Sequence, residues 1–319
     1  TKMKAFPNTF LLTTLFASTP SSQPLHPAQL SSTTTSMKPN EWGSIAEGYS
    51  KDATRFTSLY ATDLIGALYK EIQQAKTILD IGCGPGSFGV AYLNAFPQGI
   101  EGQTLILSDL SAGMVEQAKI VMDQRLPTNF KTTIEYKVQD GSTLEDIQDD
   151  SIDVAVSNFG VFLIPDQEKT LKTIQRVLAK PNGIFGTTAW TTIECRDALK
   201  AEGYGAGFHD SMEVALDDIE SLLKNGEWKK WYFKDKINEM LVDQSGFRSS
   251  IVHRSIHSVP WTSAAALWGV LLNNPMAKFE KAGPEKTAAA KNIFFDAIGG
   301  TNEEIPLFVW AAANIVIAK

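Results

Sequence analysis

Residues 78–89, Ile-Leu-Asp-Ile-Gly-Cys-Gly-Pro-Gly-Ser-Phe-Gly, constrain this chain more than any other stretch. Ile78, Leu79 and Ile81 flank a carboxylate, Asp80, as at the end of a buried parallel strand. Gly82, Gly84 and Gly86 then alternate with Cys83 and Pro85, and a helix is predicted over Phe88 to Phe96. Glycine turns tightly and lets a ligand touch the backbone. A strand that passes through such a loop into a helix presents free N–H groups at the helix start, a cradle for a nucleotide-like ligand.

Two parsings of the loop compete. Gly84-Pro85-Gly86-Ser87-Phe88-Gly89 satisfies G-x-G-x-x-G, the dinucleotide fingerprint, with Asp109 following at the distance of a ribose-binding acid. The other parsing is Asp80-Ile81-Gly82-Cys83-Gly84-Pro85-Gly86, a D-x-G-x-G-x-G string. An acid two residues before the first glycine repels a pyrophosphate but suits a cationic ligand.

The segments that follow repeat the strand–turn–helix theme. Thr104 to Asp109 is an apolar strand that ends in a carboxylate, and Leu110-Ser111-Ala112-Gly113-Met114 opens a helix. Asp109 or Ser111 also fits a plain helix N-cap. Thr133 to Val138 alternates as a strand and stops at Gln139-Asp140-Gly141, which by itself is an ordinary turn. Ser151 to Asn158 is apolar and opens at Asn158-Phe159-Gly160. Asp166 to Ala179 is an amphipathic helix with Leu171, Ile174 and Leu178 on one face; Lys180-Pro181-Asn182-Gly183 stops it before the strand Ile184 to Trp190.

These motifs, in this order over residues 45–192, resemble the class I S-adenosylmethionine-dependent methyltransferases, most of all the small-molecule, UbiE-like branch. The resemblance implies a Rossmann-like, doubly wound α/β fold: a seven-stranded, mostly parallel sheet with its last strand antiparallel, plus a helical cap. It implies S-adenosylmethionine as cofactor. Asp80, Gly82, Cys83, Gly84 and Gly86 would then hold the methionine end and Asp109 the ribose. Leu110 and Met114 would border the adenine, Asp140 and Gly141 would read its amino group and a ring nitrogen, and Asn158 and Phe159 would face the methyl group. An aromatic from the lead-in segment, here Tyr49, would fold over the cofactor or else pack on the sheet. The string Asn158-Phe159-Gly160-Val161 departs from the Asn/Asp-Pro-Pro-aromatic pattern of enzymes that methylate base or glutamine amines. No acid trio matches a magnesium site, so no metal is expected.

Outside the motifs, Glu41 to Leu68 reads as lead-in helices. Residues 1–40 are rich in Ser, Thr and Pro and form a disordered leader, a targeting segment or an extension, which leaves 41–319 as the methyltransferase domain. Insertions at about 194–232 and 261–300 are expected to cap the active-site mouth, with helices over Trp261 to Leu272 and Glu285 to Ile298. Ile237 to Gln244 is a further helix, Ser250 to Ser258 the sixth strand, and Leu307 to Ala318 the last, which the family resemblance implies enters beside the sixth. Methyl transfer is an in-line displacement that needs positioning and water exclusion more than proton transfer. A carbon or alcohol acceptor would still benefit from a base, for which His209 and His257 are the candidates, with His253 on the same side of its strand.

The formal net charge is −7, and basic runs are lacking, which argues against nucleic acid as partner. The expected partner is a small-molecule methyl acceptor. The leader's apolar patch is too short to span a bilayer, so no membrane span is expected. Two cysteines suggest a reducing compartment, the cytoplasm, with an organelle address in the leader left open. Oligomeric state is also left open. Two other readings stand beside the methyltransferase: a protein that binds S-adenosylmethionine without transferring methyl, and a nicotinamide-dependent reductase, which Asp80 disfavours.

Overall fold

A computed structural model describes residues 43, 44, 46–48, 50, 54–193, 230, 231, 233–272, 284–297 and 307–319. Two helices, α1 (Thr54–Ala67) and α2 (Tyr69–Gln74), lead into alternating units: β1 (Thr77–Ile81), α3 (Ser87–Ala95), β2 (Thr104–Asp109), α4 (Ala112–Asp123) and β3 (Thr133–Val138). Then come β4 (Val154–Asn158), a short 3-10 turn, α5 (Gln167–Val177) and β5 (Ile184–Ile193). The last part holds α6 (Lys234–Asn238), β6 (Ser250–Trp261), α7 (Ala264–Leu272), α8 (Pro284–Ala297) and β7 (Leu307–Ala318).

All seven strands form one sheet in the order β3-β2-β1-β4-β5-β7-β6. β7 lies between β5 and β6 and is antiparallel to both; every other adjacent pair is parallel. This is the doubly wound, mostly parallel sheet with an antiparallel last strand that the sequence predicts. Its apolar central strands follow from burial on both faces: Ile78, Leu79, Leu105, Leu107, Val154 and Val156 are all buried.

The strands differ in length. β1 to β4 have five or six residues each, whereas β5 has 10 and β6 and β7 have 12. Asn158, the last residue of β4, is opposite Thr188, and β5 continues to Ile193, opposite Ala311 of β7, which pairs on its other side with His257 of β6. The β5–β7–β6 half thus overshoots the carboxyl edge of the other half and stands as a wall beside it. α1 runs along this wall. Leu64 and Leu68 press on Gly186, where a Cβ would lie 2.6 Å from Leu68 Cδ1. The Tyr60 hydroxyl donates to the Ala311 carbonyl, which ties the helix to β7.

Three expectations need correction. Trp261 does not begin a helix; it ends β6, because the Ser263 hydroxyl accepts from Ala266 N–H at 3.1 Å and starts α7 there. The helix expected over 237–244 is a short α-helix, α6, that widens into a π-helical turn at Glu239–Gln244. The fourth strand begins at Val154, preceded by a single bridge from Ile152 to Leu178, which also ends the amphipathic helix early, at Val177. Residues 194–229, the greater part of the first expected cap insertion, lie outside the described residues.

Candidate active site

The carboxyl edge of β1, β2 and β4 brings together most of the residues singled out in the sequence. Gly82, Gly84 and Gly86 all have positive φ (68°, 53° and 93°). Gly82 also makes a close crossing: its Cβ position is 3.3 Å from Gly160 Cα, so the loop after β1 meets the turn after β4 backbone to backbone. A side chain at either position would part the two strand ends. Gly86 caps the start of α3 in the left-handed region, the turn through which the chain enters the helix.

Asp109 closes this loop. One of its oxygens accepts from Gly84 N–H at 3.0 Å and the other from Ser111 N–H at 2.9 Å. Each oxygen keeps a second lone-pair direction for a hydroxyl donor. Burial raises the Asp109 pKa, while the bonds from Ser111 and Gly84 pull it down. Ser111 is at the same time the N-cap of α4, accepting from Met114 N–H at 3.4 Å, so the plain cap coexists with the carboxylate site. Leu110 is 49% exposed beside Asp109, and Met114 is buried. Gly43 runs across the start of α4, since a Cβ on Gly113 would lie 2.6 Å from Gly43 Cα. Tyr49 itself lies outside the described residues.

Asp80 is fully buried, and neither carboxylate oxygen has a hydrogen-bond partner among the described residues. Burial, and secondarily the Asp109 charge, push its pKa well above the ordinary range. A buried carboxylate without a partner costs several kcal/mol if ionised, on the order of the penalty for an unpaired buried charge. A cationic group beside the loop would relieve that penalty; a pyrophosphate would worsen it. The Cys83 thiol is likewise raised by burial and by Asp80 and Asp109, the opposite of what a nucleophile needs.

At the end of β3, Gln139 N–H donates to the Asp109 carbonyl at 2.9 Å, which sets the Gln139-Asp140-Gly141 turn beside β2. Asp140 is exposed and accepts from Ser142 N–H at 2.7 Å; Gly141 is buried against Ile81 and Ile164.

The end of β4 is held by a chain of hydrogen bonds that the sequence did not reveal. Asn158 donates through Nδ2 to the Thr57 carbonyl of α1 at 3.1 Å and accepts from the Thr188 hydroxyl of β5 at 2.9 Å. Thr188 Oγ1 accepts in turn from Phe159 N–H at 2.9 Å, and Thr57 Oγ1 pairs with Ser87 Oγ at the start of α3 at 2.8 Å. Phe159 has φ 60°, a strained value for a residue with a side chain. It stays there because its N–H is bonded and its ring stacks on Trp190, with centroids 3.9 Å apart and planes 16° apart. Tyr60 packs edge-on to both rings, and Phe56 to Trp190.

Of the predicted bases, His209 lies outside the described residues. His253 is exposed. His257 is part-buried on the α1 side of β6, with Nε2 2.7 Å from Asp63 Oδ2. Asp63 was missed by the sequence reading because its partner is 194 positions away. No group of three metal-ligating side chains occurs among the described residues. Among those residues, no helix is long and apolar enough to cross a membrane.

A doubly wound sheet with an antiparallel last strand, a D-x-G-x-G-x-G loop and a carboxylate at the end of β2 define the class I methyltransferase architecture. A family model described as "Methyltransferase domain" matches residues 72–234, half of the chain, and the chain belongs to that family. Among curated proteins it is similar to the ubiquinone/menaquinone biosynthesis C-methyltransferase UbiE of Rickettsia massiliae (strain Mtu5), 33% identical over 178 residues, which is 54% of this chain and 65% of that protein. It is also similar to the probable methyltransferase ltbC of Aspergillus luteorubrus, 29% identical over 121 residues, 36% of this chain and 40% of that protein. The chain thus spans less than two thirds of the length of the curated relatives it matches. Among solved structures, phosphoethanolamine N-methyltransferase 2 of Haemonchus contortus aligns over 86% of this chain and 58% of its own, with a TM-score of 0.45 and 16% identity.

Proposed function

We propose that the protein transfers a methyl group from S-adenosylmethionine to an oxygen, nitrogen or carbon atom of a small organic molecule. The observation that carries this reading is Asp80: a carboxylate fully buried without a partner among the described residues, at the end of the strand that enters the glycine loop. That residue suits the cationic methionine end of the cofactor and opposes the diphosphate of a nicotinamide dinucleotide.

The residues present fit the cofactor. Asp80 with the loop Gly82 to Gly86 would hold the methionine end. Asp109, its two oxygens already oriented by Gly84 and Ser111, would accept from the ribose hydroxyls. Leu110 would cover one face of the adenine, and the Asp140–Gly141 turn would meet the edge of the ring. When bound, S-adenosylmethionine supplies an electrophilic methyl on a sulfonium. The chain then contributes position and dryness: Asn158 is fixed between α1 and β5, and the Phe159–Trp190 stack excludes water from the end of β4.

Calorimetric titration of S-adenosylmethionine and NADH, each into wild type and Asp109→Ala, tests the reading. Binding of S-adenosylmethionine that Asp109→Ala weakens, followed by release of S-adenosylhomocysteine with an acceptor, is expected. Binding of NADH alone would overturn it. Cofactor binding without product release from any acceptor would instead favour the non-methylating binder.

A further inference from the structure

The wall made by β5, β7 and β6 carries polar chemistry that the cofactor does not use. Alternate residues of β6 face α1. Ser255 and His257 meet Asp63, and Trp261 meets Phe56 with ring centroids 5.2 Å apart. The His257 ring lies edge-on to Tyr60 at 4.8 Å, and Tyr60 lies edge-on to Phe159 at 5.4 Å. The imidazole is therefore one ring removed from the residue that follows β4, on the overhang beyond that strand's carboxyl end.

The hydrogen bonds of the pair are asymmetric. Asp63 Oδ2 takes both the Ser255 hydroxyl and His257 Nε2, so the ring is oriented through one nitrogen only. An ionised carboxylate there places the ring proton on Nε2 and leaves the Nδ1 lone pair to accept another. Asp63 and His257 keep 30% and 27% of their side-chain surface exposed. The surroundings favour an aromatic guest with an acidic hydroxyl. Trp190 is half-buried, Trp261 has a buried indole N–H without a partner among the described residues, and the Arg55 guanidinium stands 5.8 Å over the Trp261 ring.

We propose that His257 is the proton acceptor for the methyl acceptor, that Asp63 and Ser255 are its positioning residues, and that the acceptor is a molecule with an acidic hydroxyl rather than a free amine. The inference rests on the methyl-transfer reading. In the step it implies, the hydroxyl proton passes to His257 Nδ1 and the oxygen's electron pair forms the bond to the methyl carbon. The pair of the broken carbon–sulfur bond stays on sulfur as the neutral thioether, and the imidazolium later gives its proton to water.

The test uses 4-nitrophenol as an acidic-hydroxyl probe, added to the full chain saturated with S-adenosylhomocysteine at mildly acidic pH, with the yellow phenolate band as readout. Wild type is expected to take up the probe as phenolate. His257→Gln should lower the bound phenolate by about tenfold, one decade for each 1.4 kcal/mol of lost stabilisation. Asp63→Asn should do the same, and Asp63→Glu should restore part of it, which a role limited to bracing α1 against β6 would not produce. Calorimetry with S-adenosylhomocysteine on the same samples keeps the two readings apart. Failure of wild type to bind it overturns the methyl-transfer reading. Normal S-adenosylhomocysteine affinity in every variant, with no phenolate in wild type or undiminished phenolate in His257→Gln, overturns the proton acceptor alone.

Discussion

Strands β1 to β4 stop after five or six residues, whereas β5, β6 and β7 run for 10 to 12, and the two halves end in different chemistry. On the short half, strands finish in carboxylates and glycine turns: Asp80 before Gly82, Asp109 before Leu110, Gln139 before Asp140 and Gly141. On the long half the overhang carries rings, Trp190 on β5 and His257 and Trp261 on β6, packed against Phe56 and Tyr60 of α1. The short half is built of backbone N–H groups and acids, the groups that suit a charged ligand of fixed shape. The long half is built of packed side-chain surface. The difference teaches that a strand–loop–helix turn is a local device, whereas a wall of rings needs strands long enough to carry it past their neighbours.

Each half can be broken separately, and the largest effect belongs to Asp80. Its pKa in the folded chain is raised, so the stability linked to it is complete below the unfolded pKa and drains as pH rises through the folded one. Asp80→Asn keeps the shape without the charge. Thermal unfolding of the ligand-free proteins should coincide at acidic pH, with the variant melting higher at alkaline pH, and the variant should lose S-adenosylmethionine binding. Parallel melting curves at every pH would show that Asp80 is paired in solution. Asp109→Ala comes next: it removes the proposed ribose acceptor and also frees Gly84 and Ser111 N–H, so cofactor affinity should fall by about 3 kcal/mol, on the order of a hundredfold in Kd by calorimetry.

Thr188→Val carries the test to the junction of the halves. It deprives both Asn158 and Phe159 of a partner and should cost about 1–2 kcal/mol in urea unfolding, with Phe159 relaxing away from Trp190. A variant as stable as wild type would mean that the ring stack alone holds the strained turn. Smallest is Leu110→Ser. Leu110 is 49% exposed, so stability should change by less than about 0.5 kcal/mol. Cofactor affinity should still drop by about 1 kcal/mol if adenine covers that side chain. Equal affinities would remove Leu110 from the site.

The short half was legible because its signals are contiguous. A strand, its loop and the next helix start lie within a dozen residues in 78–89, and the same economy marks 104–114 and 151–160. The last strand's place beside the sixth was also expected, as the topology that the family resemblance implies. The ends of the long strands were not. The sequence places Trp261 at the start of a helix, and only pairing with β7, from Ser250 opposite Ala318 to Trp261 opposite Leu307, carries β6 that far. Thr188 gave no signal, since a threonine in a strand is ordinary; its role arises from Asn158 and Phe159, some 30 positions earlier.

By itself, then, the sequence determined the parallel sheet, the glycine cradle and the acids along its edge, because backbone conformation and strand burial depend on neighbours close in the chain. Tertiary structure alone decided that Asp80 lacks a partner among the described residues, that Asn158 is strung between Thr57 and Thr188, and that Asp63 reaches His257. Those facts depend on which distant segments the packed core forces together, and on how much water it leaves beside each charge.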